Sequence, residues 1–177
     1  DKNVIEEAVA NFAVRCTEKL RRQGSVCQGI TVFVWTSRFN EHVPEYTIHD
    51  SLTLPIATNA QEEIVGAALS ILRAKYPKPM ADSRPDRSDM SFHFKKAGVI
   101  LWQISPDHPR QQDLFDPIDR SKQKKLMEAI DAINRKNGYG TIRQAIQGTD
   151  CRFDLKREYM SKQFTTNIHD ILKVKTR

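Results

Sequence analysis

The chain has 177 residues, enough for one domain with a large appendage or for two small domains, and its 39% hydrophobic, 8% aromatic and 28% charged residues suit a core under an ordinary polar surface. No apolar run approaches the roughly 18 residues that a membrane span needs, and the polar, helix-like start is unlike the apolar segment of a secretory signal, so neither a membrane span nor a signal peptide is expected. Net charge is +6, with 13 Lys and Arg against 12 Asp and Glu over residues 1–105 and 15 against 10 over residues 106–177; the basic excess lies in the second part and fits either an anionic partner there or a mildly basic soluble protein.

The cysteines Cys16, Cys27 and Cys151 are odd in number and widely spaced. They match neither a disulfide framework nor a C-x-x-C metal site, which leaves ordinary thiols in a reduced, cytoplasmic setting. Asp1 is an unusual first residue and suggests a piece of a longer protein.

Ile5, Val9, Phe12, Cys16 and Leu20 recur at helical spacing and predict a first helix. Asn3 with Glu6 has the form of a capping box at its start, and Gly24 is a natural stop. Cys27–Phe39 is rich in β-branched and aromatic residues and predicts a strand. Both of its faces are apolar: Ile30, Val32 and Val34 alternate with Thr31, Phe33 and Trp35, which leaves one set for the C-terminal appendage to cover.

Tyr46–Ala57 predicts a second strand, with Leu52 and Leu54 alternating with Ser51 and Thr53. Thr58 with Gln61, or Asn59 with Glu62, is placed to cap a second helix whose apolar face is Ile64, Ala68, Ile71 and Leu72. The segment from Pro77 to Asp89 holds three prolines and many charges and predicts a loop, after which Met90–Ile104 returns to strand character. Helix, strand, strand, helix, strand makes an α+β fold: a mainly antiparallel sheet with two helices on one face. A βαββαβ unit would have one more strand before the first helix, so this chain begins after that strand or lacks it.

Ser105–Arg120, with three prolines and no periodicity, predicts an extended linker. A third helix follows with Leu126, Ile130 and Ile133 on one face and Gly138 near its end; Thr141–Gln147 predicts a short strand. The expected organisation is therefore a sheet domain over 1–104, a linker over 105–120 and a small mixed helical unit over 121–177.

The side chains that carry chemistry form no catalytic set. Two-metal phosphoryl transfer needs converging carboxylates, and Asp113, Asp116 and Asp119 sit three apart in a proline-containing linker. His42, His49, His93, His108 and His169 have no paired ligand spacing and no Ser or Cys partner, and no phosphate-binding G-x-x-x-x-G-K-[ST] loop is present. The chain itself is not expected to be an enzyme. Leu114-Phe115 is different: an adjacent apolar pair in a polar linker, with Gln111 three residues before it, suits a pocket plus an amide hydrogen bond.

Three stretches carry a family resemblance. Phe94–Leu101 (FKKAGVIL) resembles the last strand of the little-finger domain of Y-family DNA polymerases. Gln111-Gln112-Asp113-Leu114-Phe115 resembles the peptide with which bacterial proteins bind the sliding clamp, with Gln112 where many such peptides have an aliphatic residue. Asn134–Gly140, Gly148, Leu155–Ser161 and Phe164-Thr165-Thr166 resemble the tail of the UmuC-like catalytic subunit of DNA polymerase V, with Met160, Lys162 and Phe164 where leucine, proline and tyrosine are usual. The ordered combination, over most of the chain, identifies a member of the UmuC-like translesion polymerase family, from its C-terminal, non-catalytic region.

That resemblance implies a little-finger-like domain that grips primer–template DNA through Lys95 and Lys96, with Gly98 permitting close backbone approach, either to phosphate or to a helix. Since successive strand residues point to opposite faces, only one of the two lysines is expected to stand fully on the open face. It implies clamp binding through Gln111, Asp113, Leu114 and Phe115. The parent's partners would be DNA, the sliding clamp, a UmuD-like dimer and the RecA filament, in the SOS response. No cofactor is implied for this region, Mg2+ belonging to the polymerase core. The rival reading, supported by the near-neutral charge of residues 1–105, is a free-standing α+β regulatory or protein-interaction domain without nucleic-acid binding.

Overall fold

The computed structural model describes residues 2–37, 45–77, 94–107, 116, 118–149, 153 and 161–172. Most of the predicted 77–89 loop, the peptide 111–115, Cys151 and residues 155–160 lie outside the described residues. The element order is α1 (Lys2–Arg22), β1 (Ser25–Thr36), β2 (Thr47–Thr58), α2 (Gln61–Lys75), β3 (Phe94–Trp102), β4 (Ser105–Pro106) and α3 (Arg120–Asn137), with 3-10 turns at Ala145–Gln147 and Ile168–Asp170. The α+β class and the antiparallel sheet are as the sequence predicts. Among the described residues no helix is long and apolar enough to cross a membrane.

β1 is the central strand, antiparallel to β2 on one side and to β3 and the short β4 on the other. Its even-numbered residues Ile30, Val32 and Val34 are fully buried. They share a core with Val9, Ala13, Leu20, Ile64, Ala68 and Leu72 from the two helices, which places α1 and α2 together on one face. Cys27 is in the same core, and burial pushes its thiol up to about 11, so at neutral pH it stays protonated and inert.

Several local expectations are corrected. The buried stripe of α1 is Val9, Ala10, Ala13, Val14, Thr17 and Leu20, whereas Ile5, Phe12 and Cys16 are half-buried. Phe12 meets Phe153 edge-on, ring centroids 6.4 Å apart. Asn3 lies inside α1, and Glu6 does not cap it: its two carboxylate oxygens accept from Arg73 of α2 at 3.0 and 2.6 Å, an ion pair that ties the two helices. The N-cap of α2 is Ala60; the Thr58 hydroxyl accepts from the Ala60 N–H and donates to Glu63 two positions further into the helix than expected.

The predicted linker begins with structure. Ser105 and Pro106 pair with Val26 and Ser25 in the same register as β3, after a break at Gln103, whose φ is 52°. Thr141–Gln147 holds no strand; it ends in the 3-10 turn, where the side chains and backbones of Gln144 and Gln147 bond reciprocally. On α3 the buried residue is Met127, and Leu126 and Ile133 are exposed. The helix is phased by its polar ties to the sheet domain, not by its own apolar stripe.

Those ties are specific. Arg21 donates to both Asp131 oxygens at 2.7 Å and to the Asn59 carbonyl at 3.0 Å. Arg120 pairs with Glu63 and Asp116. Asn11 of α1 donates to the Gln147 carbonyl at 3.0 Å. All of these reach the sheet domain from its helix side or from the α2 start.

Candidate nucleic-acid interface

The face of the sheet away from the helices is built by strand alternation. The cross-strand register places Gly29, Thr31, Phe33 and Trp35 of β1 in its middle, Thr47, His49, Ser51 and Thr53 of β2 along one side, and Lys96, Gly98, Ile100 and Trp102 of β3 along the other. None of these twelve residues is acidic. The expectation that the appendage covers this set is overturned among the described residues: Trp35 is 40% and Ile100 49% exposed, because the appendage is held on the helix side.

Two glycines let aromatic rings lie down on this face. Gly29 is paired with Trp102, and a Cβ on it would fall 2.2 Å from both atoms of the indole fusion bond. Gly98 is paired with Phe33, and a Cβ there would fall 2.3 Å from the ring's Cζ. The Trp102 Nε1–H donates to the Thr31 hydroxyl at 3.1 Å, and that hydroxyl is 2.7 Å from Ser51 Oγ, so the indole's polar edge is satisfied inside the sheet. Phe33 and Trp35 are in contact, centroids 5.2 Å apart and planes tilted by 38°.

Lys96 lies opposite Trp35 on this face. The register slips between Trp35 and Thr36, so that Thr36 pairs with Phe94 and Lys95 becomes the extra residue of an irregularity. Both lysines are exposed. Lys96 takes the open-face place that alternation gives to one of the two, and Lys95 falls at the irregularity. The close approach at Gly98 is made by Phe33, a neighbour that the sequence reading did not name. Gln111, Asp113, Leu114 and Phe115 lie outside the described residues.

The linker carboxylates have other work. Asp116 is held below the usual carboxylate range by hydrogen bonding to the Arg120 guanidinium, and Asp119 caps α3 by accepting from the Lys122 N–H at 3.0 Å. Among the described residues no three His, Cys, Asp or Glu side chains gather as a metal site. A cleft of about 740 Å³ does open between α1 and α3, but its lining alternates acids and bases, including Glu18, Arg22, Lys124, Glu128 and Arg135, around the Arg21–Asp131 pair. It is a charge-balanced seam.

The sequence reading missed Trp102 and Ile100 as surface residues, and it treated Phe33 and Trp35 only as a second apolar set. The available signal was the spacing of Gly29 and Gly98 in two strands otherwise rich in β-branched residues, since glycine inside a strand marks a close approach.

A two-helix layer behind an antiparallel sheet whose other face is, among the described residues, uncovered, aromatic and free of acid defines a little-finger-like α+β module. Residues 1–114 match the impB/mucB/samB family C-terminal domain, and the chain belongs to that family. This is the family to which the sequence motifs pointed. Residues 124–174 match a domain of unknown function (DUF4113). The chain is 34% identical over 176 residues to the protein UmuC of Salmonella typhimurium strain LT2, covering 99% of this chain and 39% of that relative. It is 33% identical to the protein ImpB of Salmonella typhimurium, covering 97% and 38%, and 32% identical to the protein MucB of Escherichia coli, covering 94% and 36%. The chain thus spans somewhat over a third of the length of these relatives.

Proposed function

We propose that this chain is the non-catalytic C-terminal part of an error-prone translesion DNA polymerase, which grips primer–template DNA by its backbone and tethers to the sliding clamp. The observation that carries the reading is the acid-free open sheet face with Lys95 and Lys96 exposed at its end. A lysine ammonium meets phosphate as a point charge and supplies affinity without reading bases, which suits a polymerase that must accept damaged templates. Family membership supports a DNA-repair setting.

In this reading residues 1–104 form the DNA-binding domain, 105–120 carry the clamp peptide and 121–177 form the family-specific unit. Gln111, Asp113, Leu114 and Phe115 engage the clamp. The nucleotidyl-transfer chemistry, with its Mg2+, belongs to the part of the relatives that this chain does not span. A UmuD-like dimer and the RecA filament complete the set of cytoplasmic SOS partners.

The test is the salt dependence of duplex binding. Affinity should fall linearly on a log–log plot, and Lys95→Ala or Lys96→Ala should each reduce the slope by about 0.9, equally for unrelated sequences. Binding that ignores salt, or that strongly prefers one duplex sequence, overturns the reading.

A further inference from the structure

We propose that the open sheet face stacks on unpaired DNA bases, making it a site for single-stranded template as well as for duplex backbone. The inference rests on the DNA-binding reading above and names the form of DNA that the face takes.

Lys96 and the exposed Thr47, His49, Ser51 and Thr53 suit phosphate, whereas Phe33, Trp35, Ile100 and Trp102 are the wrong side chains for that task. Exposed apolar area costs free energy in water unless something covers it. Here Trp35 and Ile100 are 40% and 49% exposed, beside Phe33 and Trp102. Two of the three rings are held down on glycines, so the backbone supports them from below. The one polar group of the Trp102 indole is already bonded to Thr31, which leaves the ring no hydrogen bond to seek from a ligand. Along β1 and β3 the face therefore offers outward π surface and aliphatic surface, with the Lys96 ammonium directly opposite Trp35, and along β2 it offers the exposed Thr47, His49, Ser51 and Thr53.

The ligand that matches is planar, stackable and joined to an anion. A nucleobase with its phosphate fits this description, and single-strand binders combine the same two elements: aromatic side chains under successive bases and cations along the backbone. A duplex does not, because its base faces are covered by each other. An acidic peptide would satisfy Lys96 but would leave the rings facing polar groups. The twelve face residues include no carboxylate to repel a phosphate chain.

The chain has two tryptophans, and both are on this face, so intrinsic fluorescence reports on it alone. The probes are short oligothymidylate and a blunt duplex. Oligothymidylate should quench the tryptophan emission, and in Trp102→Phe it should quench Trp35 by itself, while blunt duplex should change it little. Trp35→Ala should weaken oligothymidylate binding about 5- to 150-fold and leave duplex binding within about twofold, whereas Trp35→Phe should retain most of the single-strand affinity. Lys95→Ala with Lys96→Ala should weaken both ligands. If Trp35→Ala binds oligothymidylate as well as the parent, or if saturating oligothymidylate leaves Trp35 emission unchanged, stacking is overturned. Loss of duplex affinity in the lysine variants would then still uphold the phosphate reading. A parent chain that binds neither ligand sinks both.

Discussion

Phe33 on β1 and Gly98 on β3 are directly paired, and the phenyl ring lies so close over the glycine that a Cβ there would fall 2.3 Å from Cζ. In an open strand position Gly→Ala should stabilise, because alanine restricts the unfolded chain. Here the ring must move first, and the overpacking term dominates. Gly98→Ala is expected to destabilise by about 1–3 kcal/mol, toward the lower end because Phe33 is only half-buried and can swing outward. Thermal unfolding measures the loss, and tryptophan emission should shift as the Phe33–Trp35 contact opens. An unchanged midpoint would mean that the ring yields without cost.

The Arg21–Asp131 pair should decide how firmly α3 is docked. The Arg21 side chain is 9% exposed, and Asp131 supplies two of its three hydrogen bonds. Asp131→Ala should cost on the order of 2 kcal/mol and speed amide exchange across α3. The surface pair Lys124–Asp107, whose side chains are 62% and 31% exposed, is the control. Lys124→Ala should stay within about 1 kcal/mol of the parent.

Two glutamates of α1, the buried Glu6 and the half-buried Glu18, should tilt the acid stability in opposite directions. Hydrogen bonding to Arg73 holds Glu6 below the ordinary carboxylate range in spite of burial. The folded chain therefore binds fewer protons at Glu6 than the unfolded chain does. Its contribution is complete above the ordinary glutamate value of about 4.3 and is lost as pH falls through the lower folded value. For Glu18, burial pushes the carboxyl upward, so its contribution is lost as pH rises from the ordinary value through the raised one. Glu6→Gln should flatten the acid limb of a stability–pH curve, and Glu18→Gln should steepen it. Denaturant midpoints between about pH 3 and 7 measure both; the same slope in parent and Glu6→Gln would show that the pair carries no linkage.

The clamp peptide should concentrate its energy in two anchors. Leu114→Ala with Phe115→Ala is expected to weaken binding to purified sliding clamp by on the order of 2 kcal/mol, about thirtyfold. Gln111→Ala should cost less, through the orienting hydrogen bond, and Gln112→Ala should be nearly neutral. A double variant that binds like the parent would move the tether elsewhere in the chain.

The sequence by itself determined the elements of the sheet domain and the family. Alternation in β1, the apolar spacing of α1 and α2, and Gly24 as a stop are local signals, because a strand or helix shows its period whatever it packs against. The order of the motifs needed no structure. Which residue of a period is buried is another matter, since it depends on what arrives from elsewhere in the chain. Leu126 and Met127 are adjacent on α3, and Met127 is buried because Arg21, more than a hundred residues away, holds Asp131. Lys95 falls outside the cross-strand pairing because the ladder slips by one residue, which no spacing rule foretells. Phe33 and Trp102 form a floor only because antiparallel register sets each opposite a glycine. Side-chain period is written into a segment, whereas register and docking are relations between segments, settled when the whole core packs at once.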